Sequence, residues 1–315
     1  MDQLIRGGKK VTGDKNDSQP FWLAFLPFLS WIGLLKNKAN LRADILAGIT
    51  VALVLVPQSM AYAQLAGLPV YYGLYASFLP PMVAALFGSS RQLATGPVAV
   101  VSLMTAAALG PLAAGNPEGY LAYAVLLAFM VGVFQFFLGV FRLGVLVDFL
   151  SHPVVIGFTN AGALIIATSQ LSKLFGVTVE KAEAHYETVM RVIQAAMEHT
   201  HMPTLWMGLL SIGLMFGLKK HLPKIPNVLV AVVVTTVLSW YTGFQEAGGR
   251  VVGEIPVGLP GFALPVFDWE IMTQLIATAI TISLIGFMEA TSIAKAMAAR
   301  TRQPPDANPE LIGHG

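Results

Sequence analysis

Three groups of residues in this chain could do chemistry, and the first is Thr95-Gly96-Pro97-Val98-Ala99, which opens an apolar run that continues to Leu112. Proline is favoured in the first turn of a helix, where its missing N–H would have had no partner. The spacing predicts a helix that begins near Pro97. From Val98 to Leu112 such a helix covers about 23 Å, short of a bilayer core about 30 Å thick. It would begin inside the membrane, preceded by extended chain. A helix of that kind aims unpaired N–H groups and the positive end of its dipole at the interior, which is anion-binding chemistry. The bland alternative is a full-length helix kinked at Pro97.

The second group is Gln58, Ser59, Tyr62 and Gln64, just after Pro57. Gln58 and Tyr62 are four apart, so a helix places them on one face. They form either a polar wall of a substrate cavity or hydrogen bonds that hold a helix bundle together. The third is Glu289, which follows an uncharged run from Ile271 to Met288. An acidic side chain in a membrane segment suggests an ion or proton site; the alternative places it at the interface beside Lys295. Asp148, near Arg142, reads as a cap or ion-pair partner. His185, His199 and His201 match no metal-ligand spacing and read as solvated loop residues. With no cysteine, thiol nucleophiles, disulfides and zinc–thiolate sites are excluded. The sequence also lacks H-E-x-x-H, G-x-S-x-G and the phosphate-binding G-x-x-x-x-G-K-[ST]. No cofactor is expected, and an enzyme would have to rest on Asp148 and Glu289 as an acid pair.

The elements that position these groups follow from composition. Of 315 residues, 55% are hydrophobic and 11% charged, with mean hydropathy +0.68. A soluble domain carries about 25% charged residues, so the expectation is an all-α integral membrane protein. Residues 1–40 form a polar segment ending in an interfacial helix (Phe21 to Leu35), without a cleavable signal. Residues 41–299 form the transmembrane domain, and 300–315 a cytoplasmic tail. Eight crossing segments are predicted at 41–66, 70–87, 93–112, 119–141, 145–171, 203–218, 227–242 and 271–299. Interruptions are expected at Pro57, at Pro80-Pro81 and at His152-Pro153, a feature of transporters more than of receptor-like bundles. Fifteen Lys and Arg fall on the N-terminal side of this topology and four (Lys173, Lys181, Arg191, Arg250) on the other. That bias puts both ends in the cytoplasm of a multi-pass inner or plasma membrane protein. A surface helix is expected at 185–198 and an extended outer loop from Val251 to Pro265. Gly213 and Gly217 form a small-xxx-small pair suited to close helix packing. A weak ungapped repeat sets Ile49 over Ile280 and pairs Gln58 with Glu289.

Several motifs together resemble the SulP family of anion transporters. They are Pro57-Gln58-Ser59-Met60-Ala61-Tyr62-Ala63, Val70-Tyr71-Tyr72-Gly73-Leu74-Tyr75-Ala76-Ser77, Gly88-Ser89-Ser90-Arg91 and the stretch from Thr95 to Met104. Further along, Asp148 to Val154, Ser169-Gln170-Leu171, Ile255 to Pro260, Glu289-Ala290 and Asn308 to Gly315 match in the same order. The resemblance implies an inverted-repeat (7+7) fold divided into a core and a gate, with an anion held between two facing half-helices. On the matching positions it implies that Gln58 and Tyr62 line the site and that backbone around Thr95, Gly96, Pro97, Val98 and Ala99 supplies donors. It also implies that Glu289 serves the coupling proton or sodium. The expected partner is an inorganic anion, sulfate above all, or bicarbonate or chloride; a homodimer is implied for the parent, and no nucleic acid. Against that pattern the chain is expected to be a fragment truncated after about eight segments, with a broken third helix. The rival readings are a nucleobase permease of similar fold and an intramembrane acid-dependent enzyme.

Overall fold

A computed structural model of the chain describes residues 27–88, 93–113, 116–141, 143, 152–180, 182, 184–223, 225–259, 261, 264–301, 311 and 313. Two 3-10 turns, Pro27–Ser30 and Ile32–Lys36, lead into helices α1 (Lys38–Leu65), α2 (Val70–Ala76), α3 (Leu79–Phe87), α4 (Ala99–Leu112) and α5 (Pro117–Val140). Then come α6 (His152–Ser169), α7 (Leu171–Phe175), α8 (His185–His199), α9 (Met202–His221), α10 (Asn227–Tyr241) and α11 (Trp269–Thr301). Five stretches are long and apolar enough to cross a membrane: Lys38–Leu65, Val70–Phe87, Glu118–Val140, Met202–His221 and Trp269–Ile293. The half-length α4 and the short α10 are apolar as well. The eight segments expected from the sequence thus each have a helical counterpart.

Local chemistry sets the helix starts. Asn37 caps α1 by accepting from the Ala39 N–H at 2.9 Å, and Asn116 caps α5 by accepting from Gly119 at 3.0 Å. Asp268 Oδ1 accepts from Glu270 and Ile271 at the head of α11. Each satisfies a donor that the helix ladder leaves over.

Two of the three expected interruptions fall elsewhere, and the third, at His152-Pro153, adjoins residues 144–151, which lie outside the described ones. Pro57 lies inside α1, which runs unbroken for 28 residues. A proline in mid-helix removes one N–H and crowds the carbonyl four residues back; here neighbouring turns hold, and the Ser59 hydroxyl donates to Val56 O at 3.0 Å. The break in the second segment comes at Ser77 and Phe78, ahead of Pro80-Pro81, which sit in the first turn of α3. Proline suits that turn. Pro153 likewise falls in the first turn of α6. The expected surface helix corresponds to α8, and the described residues between Val251 and Pro265 form neither helix nor strand. The polar N-terminus, residues 89–92 and Asp148 lie outside the described residues.

The helices pack in two groups. In the first, α1 lies along α2, α5 along α11, and α4 touches α1, α5 and α11. In the second, α9 packs on α10 and α7, and α8 on α6 and α7. The groups meet where α4 touches α6 and α1 touches α10. The main core belongs to the first group: Leu109, Leu126, Leu127, Leu275, Ala279 and Ile282, all within about one turn of α4, α5 or α11. A smaller cluster joins Leu138, Phe287 and Leu311.

Candidate functional site

The half-helix is α4, and it begins at Ala99, two residues later than its proline suggested. Residues 93–98 are not helical, and Val98 is extended (φ −123°, ψ 144°). Pro97 therefore stands ahead of the helix, where its fixed φ and its steric effect on Gly96 hold the chain extended. The first ladder bond runs from Ser102 N to Val98 O at 3.0 Å. The N-cap position, usually Ser, Thr, Asp or Asn, is filled by valine, and no side chain caps the helix. Helix geometry thus leaves the N–H groups of Val98 to Val101 outside the ladder. At 14 residues, α4 reaches about 21 Å.

Three helices close around this start. A Cβ on Gly96 would lie 3.8 Å from Leu55 Cδ1 on α1. A Cβ on Gly162 of α6 would lie 3.7 Å from Val100 Cγ2, and one on Gly286 of α11 would lie 3.7 Å from Val101 Cγ2. The contacts also fix directions. Leu275 packs with Leu109 while Gly286 meets Val101, so α11 runs antiparallel to α4. Glu289 is one turn beyond Gly286, about 4.5 Å, which brings it to the level of Val98. Gln58 is one turn beyond Leu55 on the opposite flank and reaches about the same level. Gln58 Nε2 donates to Tyr62 Oη at 2.9 Å, so the pair shares a face as its spacing required. Glu289 is half-buried, and among the described residues no ion pair holds it. Along the axes, Gln58 on α1 and Glu289 on α11 thus stand at about the level of Val98, and Tyr62 lies one turn further along α1.

Two polar locks went unnoticed in the sequence. Gln135, buried on α5, donates from Nε2 to Ser283 O at 3.1 Å, and Ser283 Oγ donates to Val131 O at 3.2 Å. Gln135 was visible as the only amide in the apolar run from Leu121 to Val140. On the other side Gly73 sits against the α1 backbone: a Cβ there would come 2.0 Å from Ser59 O. That close approach explains the glycine in Tyr71-Tyr72-Gly73-Leu74-Tyr75. Likewise Gly313 lies on Gly88, where a Cβ would stand 2.8 Å from Gly88 N, so the ends of two motifs touch.

The histidines take structural roles. His185 Nε2 pairs with Thr168 Oγ1 at 2.8 Å, and His201 bridges Thr204 Oγ1 and Ala247 O at 2.7 and 2.8 Å. Among the described residues no cluster of His, Asp or Glu could hold a metal ion.

A bundle of long apolar helices whose third segment becomes helical only at Ala99, with no side chain capping that start, defines a membrane protein built on broken helices. The family model for the sulfate permease family matches residues 41–315. The chain belongs to that family. It is similar to sulfate transporter 4.1, chloroplastic, of Arabidopsis thaliana, at 39% identity over 93% of this chain and 44% of the relative. A probable sulfate transporter of Mycobacterium tuberculosis is 39% identical over 87% of this chain and 49% of its own length. The chain thus spans about half the length of these curated relatives. Among solved structures, the murine solute carrier 26 family member A9 anion transporter in its inward-facing state matches with TM-score 0.85 at 26% identity. That match covers 98% of this chain and 54% of the other. The transmembrane domain of a cyanobacterial bicarbonate transporter matches with TM-score 0.77 at 26% identity, over 87% and 70%. These relatives are transporters, not enzymes, and the acid-pair enzyme reading falls away.

Proposed function

We propose that this chain carries part of a secondary active transporter for an inorganic anion, sulfate first, whose solute sits at the start of α4. The observation that carries this reading is the uncapped helix start at Val98 with Gln58 and Glu289 at about its level and Tyr62 one turn further along α1. Family membership and the sulfate transporters among its relatives support the choice of solute. Bicarbonate and chloride would use the same amides, and the solved neighbours include a bicarbonate transporter.

Magnitudes say what else the site needs. Hydrogen bonds to a charged group contribute roughly 1.5–3 kcal/mol each, so four amides give roughly 6–12 kcal/mol. The helix dipole adds up to about 2 kcal/mol. Removing even one ion from water into a low-dielectric interior has an idealised cost of about 20 kcal/mol, several after relaxation. For a dianion the amides of one helix are too few. A second donor set or a co-transported cation must offset the rest, and Glu289 is placed to bind a proton or sodium beside the anion. Movement follows alternating access: the group around α4 shifts against the group of α6 to α10 across their two narrow seams. Both ends of the chain face the cytoplasm on the positive-inside argument.

The test is uptake of labelled sulfate, bicarbonate, chloride and uracil into proteoliposomes carrying the protein, across a pH gradient. Val98→Glu, which puts a carboxylate at the amides, is expected to lower sulfate uptake at least about tenfold while the protein still inserts. Undiminished sulfate uptake by that variant would overturn the site, and uracil uptake in preference to sulfate would select the nucleobase rival.

A further inference from the structure

A second cavity lies away from the candidate anion site, at the seam between the two helix groups. It measures about 650 Å³ and is lined on one side by the ends of α1 and α4 and on the other by α6, α7 and α8. By volume it holds on the order of 20 waters. Its wall on α4 starts at Leu103, one turn above Ala99, and continues to Pro111, so it flanks the half-helix for about 12 Å. On the topology read from the positive-inside bias, the α8 wall of this cavity lies on the outer side.

The lining has one sign of charge. Lys173 and His185 contribute to it, with Gln64, Thr168 and Thr188, and among the described residues no carboxylate does. The Lys173 ammonium donates to Gln64 Oε1 at 3.3 Å, tying α7 to the end of α1, and among the described residues no acid neutralises it. A lysine has three N–H donors, so at least one stays available to a ligand. Outside the lining, Arg250 donates to Thr178, the residue before Val179. Burial pulls the Lys173 pKa below the ordinary lysine value, as expected of an ammonium withdrawn from water without a counter-charge.

We propose that this cavity is a separate, outer binding site for inorganic oxyanions, with Lys173 as its charge and the side-chain hydroxyls and amides as its donors. The chemistry differs from that at Val98. A lysine is a compact, strongly hydrated point charge on a flexible stem, and the cavity is roomy. It suits an anion that keeps much of its water, whereas a ring of backbone amides replaces that water. A focused positive potential here raises the local anion concentration one helical turn above the start of α4. This inference takes its choice of solute from the proposed transport function, but its binding residues are different.

The chain has no cysteine, so a single introduced thiol reports on the cavity alone. Ser172→Cys on the cavity wall is to be titrated, in the otherwise unaltered chain, with a sulfonate-bearing methanethiosulfonate and with its trimethylammonium counterpart. Relative to free cysteine, the anionic reagent is expected to react about fivefold faster than the cationic one. Lys173→Gln should bring that ratio back to the free-thiol value, Lys173→Arg should keep it, and added sulfate should slow labelling of the Ser172→Cys chain by the anionic reagent. Thr188→Cys repeats the measurement from α8 should the first thiol disturb the fold. An unchanged ratio in Lys173→Gln, or labelling indifferent to sulfate, overturns the proposal. Adding Val98→Glu distinguishes the two sites. Sulfate protection that survives it while uptake is lost supports a separate outer site, and protection lost with it shows that the cavity is no separate site.

Discussion

The helices around α4 and the pair α9–α10 have similar apolar composition and opposite packing. In the first group glycine brings two backbones together, Gly73 lying on the Ser59 carbonyl. Polar groups are sealed in pairs, with Gln135 on Ser283 and the Tyr120 hydroxyl donating to Ala66 O at 2.6 Å. In the second group no residue of α9 is buried, and only Ala231 of α10 is. Gly213 and Gly217, which the sequence suggested for tight packing, have nothing near them. They line an open apolar groove of about 620 Å³ with Trp206 and Leu210. In lipid there is little hydrophobic drive between helices, so close backbone approach and internal hydrogen bonds hold a bundle rigid. The difference teaches which part of the molecule fixes geometry and which is left free to present a surface.

That contrast can be broken by single substitutions. The largest effect is expected from Gly73→Val, because its Cβ must meet the Ser59 carbonyl, a backbone atom that cannot step aside. Size-exclusion chromatography in detergent should show near-complete loss of the folded peak. Next is Glu289→Gln, which on the proposed reading abolishes cation-driven uptake at unchanged membrane expression; uptake with the same pH or sodium dependence as the parent removes Glu289 from coupling. Gln135→Leu deletes the donor to Ser283 O and should lower thermal stability by about 1–3 kcal/mol with uptake affinity retained. Smallest is Gly217→Ala, expected within about 0.5 kcal/mol because the added methyl enters open space. A large loss there would erase the distinction between the two groups.

Much of this was readable in residue types. Thr95-Gly96-Pro97 announced a helix starting partway along its segment, since proline's restraints act within a residue or two of its own position. The start nonetheless lies at Ala99, because Pro97 shapes the extended lead-in instead of occupying the first turn. Pro57 was misread as a break for the opposite reason: packing of α1 on α2 overrides a local penalty that sequence alone suggests will dominate. The shared face of Gln58 and Tyr62 followed from helix period, whereas the similar level of Glu289 and Val98 depends on α11 running antiparallel to α4. Such long-range pairings leave no local signal. Lys173 passed as one more loop cation for the same reason, since its partner Gln64 lies far away in the chain.

The length of α4 has an electrical consequence. Its 14 residues reach about 21 Å, so a solute travelling from the α8 side to Val98 descends through about two thirds of a 30 Å insulating layer. Moving one elementary charge across the whole layer is worth about 2.3 kcal/mol per 100 mV, which makes that descent worth roughly 3 kcal/mol per 100 mV for a divalent solute. On the proposed reading, occupancy of the site should therefore follow membrane voltage steeply for sulfate and half as steeply for bicarbonate or chloride, and a cation bound at Glu289 would flatten both.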